Sequence, residues 1–142
     1  MSLNESSTAV LSRLEPIAFA LLRVVAGGAL YFHGAQKLLG WFANHPSPPT
    51  FSQLWVGGVI ELVGGVLIAL GLLTRSAAFL VSGTLAVAYI QFHWKLRLDG
   101  FRFLPIVNQG ELALIYSFLF LFIFAHGAGR FSLDGLRSKK GS

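Results

Sequence analysis

Four long apolar stretches alternate with polar segments along this chain, and each has about the ~20 residues that a membrane-spanning helix needs. They cover residues 17–39, 55–73, 77–94 and 110–127. Prolines interrupt the connection between the first two stretches, and Pro105 lies in the connection before the fourth. The stretches are unbroken rather than alternating, so they favour helices over barrel strands. The pattern predicts an all-α integral membrane bundle of four transmembrane helices.

Polar segments at both ends of the chain mark the expected boundaries of the membrane domain. Residues 1–16 form a polar lead-in that ends at Pro16, and proline suits the first turn of a helix. Residues 137–142 form a basic tail. We therefore expect one membrane domain over residues 17–136.

Composition supports a membrane protein and excludes several other classes. The chain is 54% hydrophobic and 12% charged, whereas soluble domains have about 25% charged residues. The net charge is +5, and the basic residues lie beside the apolar stretches. They form no basic stripe with exposed aromatic residues, so we expect no nucleic-acid partner. It has no cysteine, which excludes disulfides, Cys-ligated iron–sulfur clusters and covalently attached haem. No covalently bound cofactor is expected.

The distribution of basic residues predicts the orientation in the membrane. Four spans would place both termini on one side, and that side carries six basic residues against four on the other. The six are Arg13, Arg75, Arg130, Arg137, Lys139 and Lys140, and the four are Lys37, Lys95, Arg97 and Arg102. Trp41, Trp55 and Trp94 all fall on the second side, as an interfacial aromatic belt would. We expect a multi-pass protein of the inner membrane with both termini in the cytoplasm.

Glu61 is the only charged residue in the second apolar stretch. A carboxylate at that depth costs on the order of 3 kcal/mol on insertion scales, so such residues usually have a partner or a function. His33 and Lys37 are four residues apart on one face of the first helix. We expect one of them, Lys37 or His33, to pair with Glu61.

Polar residues on all four helices fall near one depth when position is estimated from the helical rise of ~1.5 Å per residue. We expect them to line a pocket open to the outer side; they are His33, Lys37, Glu61, Tyr89, His93 and Glu111. One interpretation is a hydrogen-bond network that holds the helices together. Another is a pocket for a quinone head group or a small solute. His33, His93, Glu61 and Glu111 include acceptable metal ligands, but no HxxxH or ExxH spacing occurs, so no metal site is predicted.

Arg23 lies inside the first apolar stretch, about six residues from its inner end. Its side chain can extend to the cytoplasmic interface, as long basic side chains do. Alternatively, it can pair with a carboxylate or with a helix C-terminus. Either arrangement is structural.

Three segments together resemble the DoxX family over about residues 17–136. They are LLRVVAGGALYFHGAQKLLGWF, GGVIELVGGVLIALGLLTRSAAF and NQGELALIYSFLFLFIFAHGAGRFSLDGL. The resemblance implies a four-helix inner-membrane bundle associated with membrane oxidoreductases and quinol oxidation. The family pattern falls on Arg23, His33, Gly34, Lys37, Glu61, Gly64, Gly65, Arg75, Asn108, Gly110, Glu111, Gly129, Arg130 and Asp134. Gln109 stands where the motif often has glycine. Of these, we assign structural roles to Arg23, Gly64, Gly65, Arg75, Asn108, Arg130 and Asp134.

The sequence leaves three functions open and does not decide whether the chain is itself an enzyme. The first is a subunit or accessory of a membrane oxidoreductase or quinone-linked respiratory complex. It would bind quinone and receive electrons from a partner subunit. The second is a non-catalytic structural subunit packed against a larger membrane complex. The third is a small-solute transporter, although no inverted repeat or broken helix is evident. The lipid bilayer and other membrane subunits are the expected partners.

Overall fold

The computed structural model describes residues 3–140, and the side chains of residues 8–138, as an assembly of helices without strands in that part of the chain. The basic residues Lys139 and Lys140 lie beyond the described side chains. The helices are α1 (Leu3–Leu39), α2 (Gln53–Leu70), α3 (Thr74–Ala88), α4 (Pro105–Asn108), α5 (Glu111–His126) and α6 (Leu133–Lys140). A π-helical turn, Tyr89–Trp94, continues α3, and a 3-10 turn spans Asp99–Phe101. The all-α prediction is confirmed for the described residues.

The predicted start of the first helix was too late. We expected the helix to begin at Pro16, but α1 runs from Leu3 and contains Pro16. A proline inside a helix removes one backbone donor and its ring crowds the preceding turn, but the Leu, Ala, Arg and Glu residues before Pro16 favour helix. The helix therefore continues through it.

The four long helices pack as two antiparallel pairs, α1 with α2 and α3 with α5, and the α2–α3 contact joins the pairs. The order of contacts shows that α1 and α2 run in opposite directions. Gly34 of α1 faces Gly58 and Leu62 of α2, whereas Gly27 faces Gly65 and Ala69. In the second pair, the buried Ser82 hydroxyl of α3 donates a 2.7 Å hydrogen bond to the Ser117 carbonyl of α5.

Glycines set the spacing between α1 and α2. A Cβ atom on Gly65 would lie 2.6 Å from the Gly27 carbonyl oxygen and 2.6 Å from the Tyr31 nitrogen, so only glycine fits. A Cβ atom on Gly64 would lie 2.6 Å from Val81 of α3. The structural role predicted for these two glycines follows from such contacts, since small residues let membrane helices approach closely. Gly57 differs, because a Cβ atom there would meet only Thr84, at 3.9 Å.

The outer surface of the bundle is apolar, as a protein surrounded by lipid requires. Large side chains such as Val25, Phe79 and Phe118 are more than half exposed. By length and composition, two helical segments among the described residues can cross a membrane, Gln53–Leu70 and Thr74–Trp94. The apolar α5 is shorter, at 16 residues. The fold is therefore that of an all-α membrane protein.

The two ends of the bundle are marked by different residues. Trp41, Trp55 and Trp94 lie where α1 ends, α2 begins and the π-helical turn ends, and we call this the tryptophan end. Arg23 and Arg75 lie near the opposite end, which we call the arginine end.

Candidate functional site

An ion pair between α1 and α2 lies at the centre of the predicted polar layer. The Lys37 ammonium donates to both carboxylate oxygens of Glu61, with Nζ–Oε1 and Nζ–Oε2 distances of 2.6 and 2.7 Å. The Glu61 side chain is 4% exposed and that of Lys37 is 33% exposed. The predicted cationic partner of Glu61 is therefore Lys37 rather than His33. The arrangement offsets the cost of placing a carboxylate among apolar helices.

Glycine packing brings the two charged residues together. Gly58 lies one helical turn before Glu61, and a Cβ atom on Gly58 would be 3.3 Å from the Lys37 Cβ. Gly34 lies one turn before Lys37, and its own Cβ would come within 2.4 Å of the Leu62 nitrogen. Because both positions lack side chains, the last turn of α1 lies directly against the middle of α2 and the lysine reaches the carboxylate.

A cavity of about 230 Å³, which we call the inner cavity, lies beside the ion pair between α1, α3 and α5. Its polar wall residues are His33, Lys37, Glu61, His93, Gln109 and Tyr116. Leu30, Leu85 and Leu112 belong to its apolar wall. His33 is partly buried and forms no hydrogen bond with any residue that the structure describes. The cavity thus offers charged groups and an imidazole to a bound molecule.

Two of the six predicted pocket residues lie outside this cavity. Tyr89 is buried, and its hydroxyl donates to the Phe103 carbonyl at 2.9 Å. Glu111 is exposed in the first turn of α5, where its charge favours the helix dipole. Depth along a helix was predicted from sequence spacing, but the direction in which a side chain points was not. Four of the six, His33, Lys37, Glu61 and His93, are brought together.

Asn108 fixes the turn before α5, next to the inner cavity. Its amide donates to the Arg102 carbonyl at 2.9 Å and to the Tyr89 hydroxyl at 3.3 Å. Its side-chain oxygen accepts from the Gly110 nitrogen at 2.8 Å. The predicted structural role of Asn108 therefore consists of fixing the turn before α5.

Gln109 is a cavity residue that the sequence analysis missed. It follows Asn108 with φ of 59°, in the left-handed region that favours glycine. The family motif often has glycine at this position. The replacement of that glycine by glutamine was the one sign in the sequence that the position is unusual. Gln109 is one of the residues that line the inner cavity.

Arg23 is buried near the arginine end. It is 2% exposed, so it does not extend to the interface. Its guanidinium donates to the Ile68 carbonyl at 2.9 Å and to the Phe131 carbonyl at 2.6 Å. Ile68 lies in the last turn of α2, so the alternative of pairing with a helix C-terminus is the one observed.

Asp134 and Arg75 cap helices that are distant from them in sequence. The Asp134 carboxylate accepts from the backbone nitrogens of Leu73 and Thr74, at 3.0 and 2.9 Å, and so caps the start of α3. The Arg75 guanidinium donates to the carbonyls of Phe124 and Ala125, at 2.7 and 3.0 Å, and so caps the end of α5. Arg130 is exposed nearby and lines a surface depression beside α6.

The Asp134 carboxyl group titrates below its ordinary range. Partial burial acts to raise its pKa, but the hydrogen bonds from Thr74 and Leu73, together with the Arg137 charge, outweigh that effect and lower the pKa. The folded state therefore favours the charged carboxylate.

Similarity to known proteins agrees with this architecture. The sequence profile of the DoxX family matches residues 18–94, more than half of the chain. An uncharacterized protein of Haemophilus influenzae is 41% identical over 133 residues, covering 92% of this chain and 98% of the relative. The chain belongs to the DoxX family. A Bacillus subtilis relative named "Putative oxidoreductase CatD" is 36% identical over 109 residues, covering 71% of this chain and 81% of the relative. No solved structure matches.

Replacement of Glu61 tests the ion pair of this DoxX protein. We expect Glu61→Gln to lower the free energy of unfolding by about 2 kcal/mol, since it leaves the Lys37 charge without its partner. This is less than the ~3–5 kcal/mol of fully buried pairs, because Lys37 is one-third exposed. Thermal unfolding in detergent measures the change, with Glu15→Gln on the exposed part of α1 as the control. Equal stability of the two variants would contradict the assignment.

Acid titration tests the Asp134 cap. The folded pKa lies below the unfolded value, so the charged cap stabilises the protein above the unfolded pKa, and this stability is lost as pH falls through the folded pKa. We expect Asp134→Asn to melt about 2–4 °C below the unaltered protein at pH 7, because asparagine keeps one acceptor oxygen but loses the second one and the charge.

The difference should shrink below about pH 4 as the native carboxylate takes up its proton. Asp99→Asn is the matched control, because the Asp99 side chain is 71% exposed in a surface turn. A difference in melting temperature that stays constant down to pH 3 would argue against the cap.

Proposed function

We propose that this DoxX protein is a membrane subunit of a quinone-linked oxidoreductase and binds the quinone head group in the inner cavity. One observation supports this most directly. The Lys37–Glu61 pair and His33 meet in a cavity of about 230 Å³ among apolar helices, and His33 has no hydrogen-bond partner among the described residues. The name of the Bacillus relative adds a link to oxidoreductases.

The wall chemistry suits a quinone. A quinone presents two carbonyl acceptors on a flat apolar ring. The Lys37 ammonium and the Gln109 amide can donate to carbonyl oxygens, and the imidazoles of His33 and His93 can donate or accept. Apolar residues such as Leu85 and Leu112 can contact the ring.

The same groups support proton transfer to and from the ring. Reduction of a quinone to a quinol takes up two electrons and two protons, and the reverse reaction releases them. Imidazole and carboxylate groups carry protons readily, so His33 and Glu61 are the proposed carriers. In this proposal the electrons come from a partner subunit, and the cysteine-free chain offers no ligands for a Cys-ligated iron–sulfur cluster of its own.

The proposed topology has four spans, with α1 and α5 crossing the inner membrane beside the two apolar segments. Lys37 and the three tryptophans would then face the outer side, and both termini the cytoplasm. The inner cavity lies toward the tryptophan end and would open outward. Lys37 is one-third exposed, which agrees with such an opening.

Quinone retention tests the proposed function. We expect His33→Ala to weaken binding of a ubiquinone by about tenfold, the loss of one hydrogen bond to a charged or polar group. Its melting temperature should stay near that of the unaltered protein, because His33 has no hydrogen-bond partner among the described residues. The affinity is measured in nanodiscs from the quenching of tryptophan fluorescence by the added quinone.

His45→Ala, in an exposed loop, is the control. If the unaltered protein binds no quinone and purifies stably only with a larger membrane complex, the structural-subunit alternative is correct instead.

Single cysteines test the orientation against a background free of native cysteine. We expect Asn44→Cys, in the loop after α1, to react with an impermeant maleimide in spheroplasts. Ser138→Cys in α6 should react only after lysis. The reverse labelling pattern would overturn the proposed topology.

A further inference from the structure

A second cavity meets the ion pair from the other side. It has a volume of about 390 Å³, lies between α2 and α3, and shares Lys37 and Glu61 with the inner cavity. We call it the lateral groove. The ion pair therefore borders both a polar cavity and a groove on the bundle surface.

Two glycines leave open space in the lateral groove, one on each of its helices. Gly57 of α2 and Gly83 of α3 both line it. A Cβ atom on Gly83 would meet no other atom within 4 Å, and one on Gly57 would meet only Thr84. These glycines do not bring the helices together, in contrast to Gly65.

The wall of the lateral groove is apolar and faces the surface that lipid covers. Leu80 and Val87 line it and are 54% and 46% exposed. The Thr84 hydroxyl donates to the Leu80 carbonyl of its own helix at 2.9 Å, so it offers its proton to no ligand. At the tryptophan end, Gln53 lines the groove and donates a hydrogen bond to Gln91.

We infer that the lateral groove holds the isoprenoid tail of the quinone and is its entrance from the bilayer. The inference rests on the proposed function. The inner cavity is smaller than the ~300–1,000 Å³ of most ligand pockets, so it fits a head group without a long tail. A tail that leaves the head group past the ion pair enters the lateral groove, which begins there, is lined by apolar residues and opens toward lipid.

Filling the lateral groove tests this inference. Gly83→Leu places a side chain in the open groove, whereas Gly28→Leu on α1 places the same side chain where a Cβ also meets nothing within 4 Å. Both variants exchange glycine for leucine inside a helix, so their backbone effects match. Two probes are compared in nanodiscs: a long-chain ubiquinone and the same benzoquinone without its tail.

We expect Gly83→Leu to weaken the long-chain quinone about tenfold, because added methylenes fill the space of the tail. Its affinity for the tail-free quinone should match that of Gly28→Leu. Gly57→Leu fills the groove from the opposite helix and serves if Gly83→Leu does not fold.

The failures of the two proposals are distinguishable. If the unaltered protein binds neither quinone, the proposed function fails and the inference with it. If it binds both and the groove variants match Gly28→Leu with both, the groove assignment fails and the proposed function stands. A phospholipid that copurifies with the unaltered protein and is lost from Gly83→Leu, at unchanged quinone affinity, would assign the groove to an acyl chain and overturn the inference.

Discussion

The close approach of α1 and α2 is the constraint on which the site depends. A Cβ atom on Gly27, Gly34 or Gly65 would come within 2.7 Å of backbone atoms of the opposite helix. At that spacing the Lys37 side chain is long enough for its ammonium to reach both carboxylate oxygens of Glu61. A wider interface would leave a carboxylate unpaired among apolar side chains, at a cost of several kcal/mol. The Lys37–Glu61 pair therefore depends on the close contact between the two helix backbones.

The second pair of helices depends on residues from the arginine end. The start of α3 has no side-chain cap of its own, and Asp134 of the C-terminal segment supplies one. Arg75 in turn caps α5, and Arg23 links the end of α2 to Phe131. The chain after α5 thus holds α2 and α3 in place. Since α3 and α5 form much of the inner cavity wall, these distant caps help to determine its shape.

The sequence predicted the helices, the pairing of Glu61 and the importance of the glycines, because each follows from local physical costs. An isolated charge in an apolar stretch needs a partner, and nearby Lys37 was an evident one. Tyr89 and Glu111 were misplaced because spacing along a helix does not tell which side of the bundle a residue faces. The Asp134 cap was also beyond local reasoning, since it joins residues 60 positions apart. Gln109 lines the cavity and has a left-handed backbone conformation, which the hydrophobic periodicity of the sequence does not reveal.

Stability alone is a weak explanation for the Lys37–Glu61 pair. Buried ion pairs contribute little net stability, and apolar residues of similar size often serve as well or better. The bundle already has glycine packing along α1 and α2 and caps on α3 and α5. The pair lies in the close α1–α2 interface, but it also borders two cavities, beside His33, which has no described hydrogen-bond partner. A group kept only to hold helices together would be expected to lie among filled space with its neighbours satisfied. The two cavities that border the ion pair therefore support the proposed ligand.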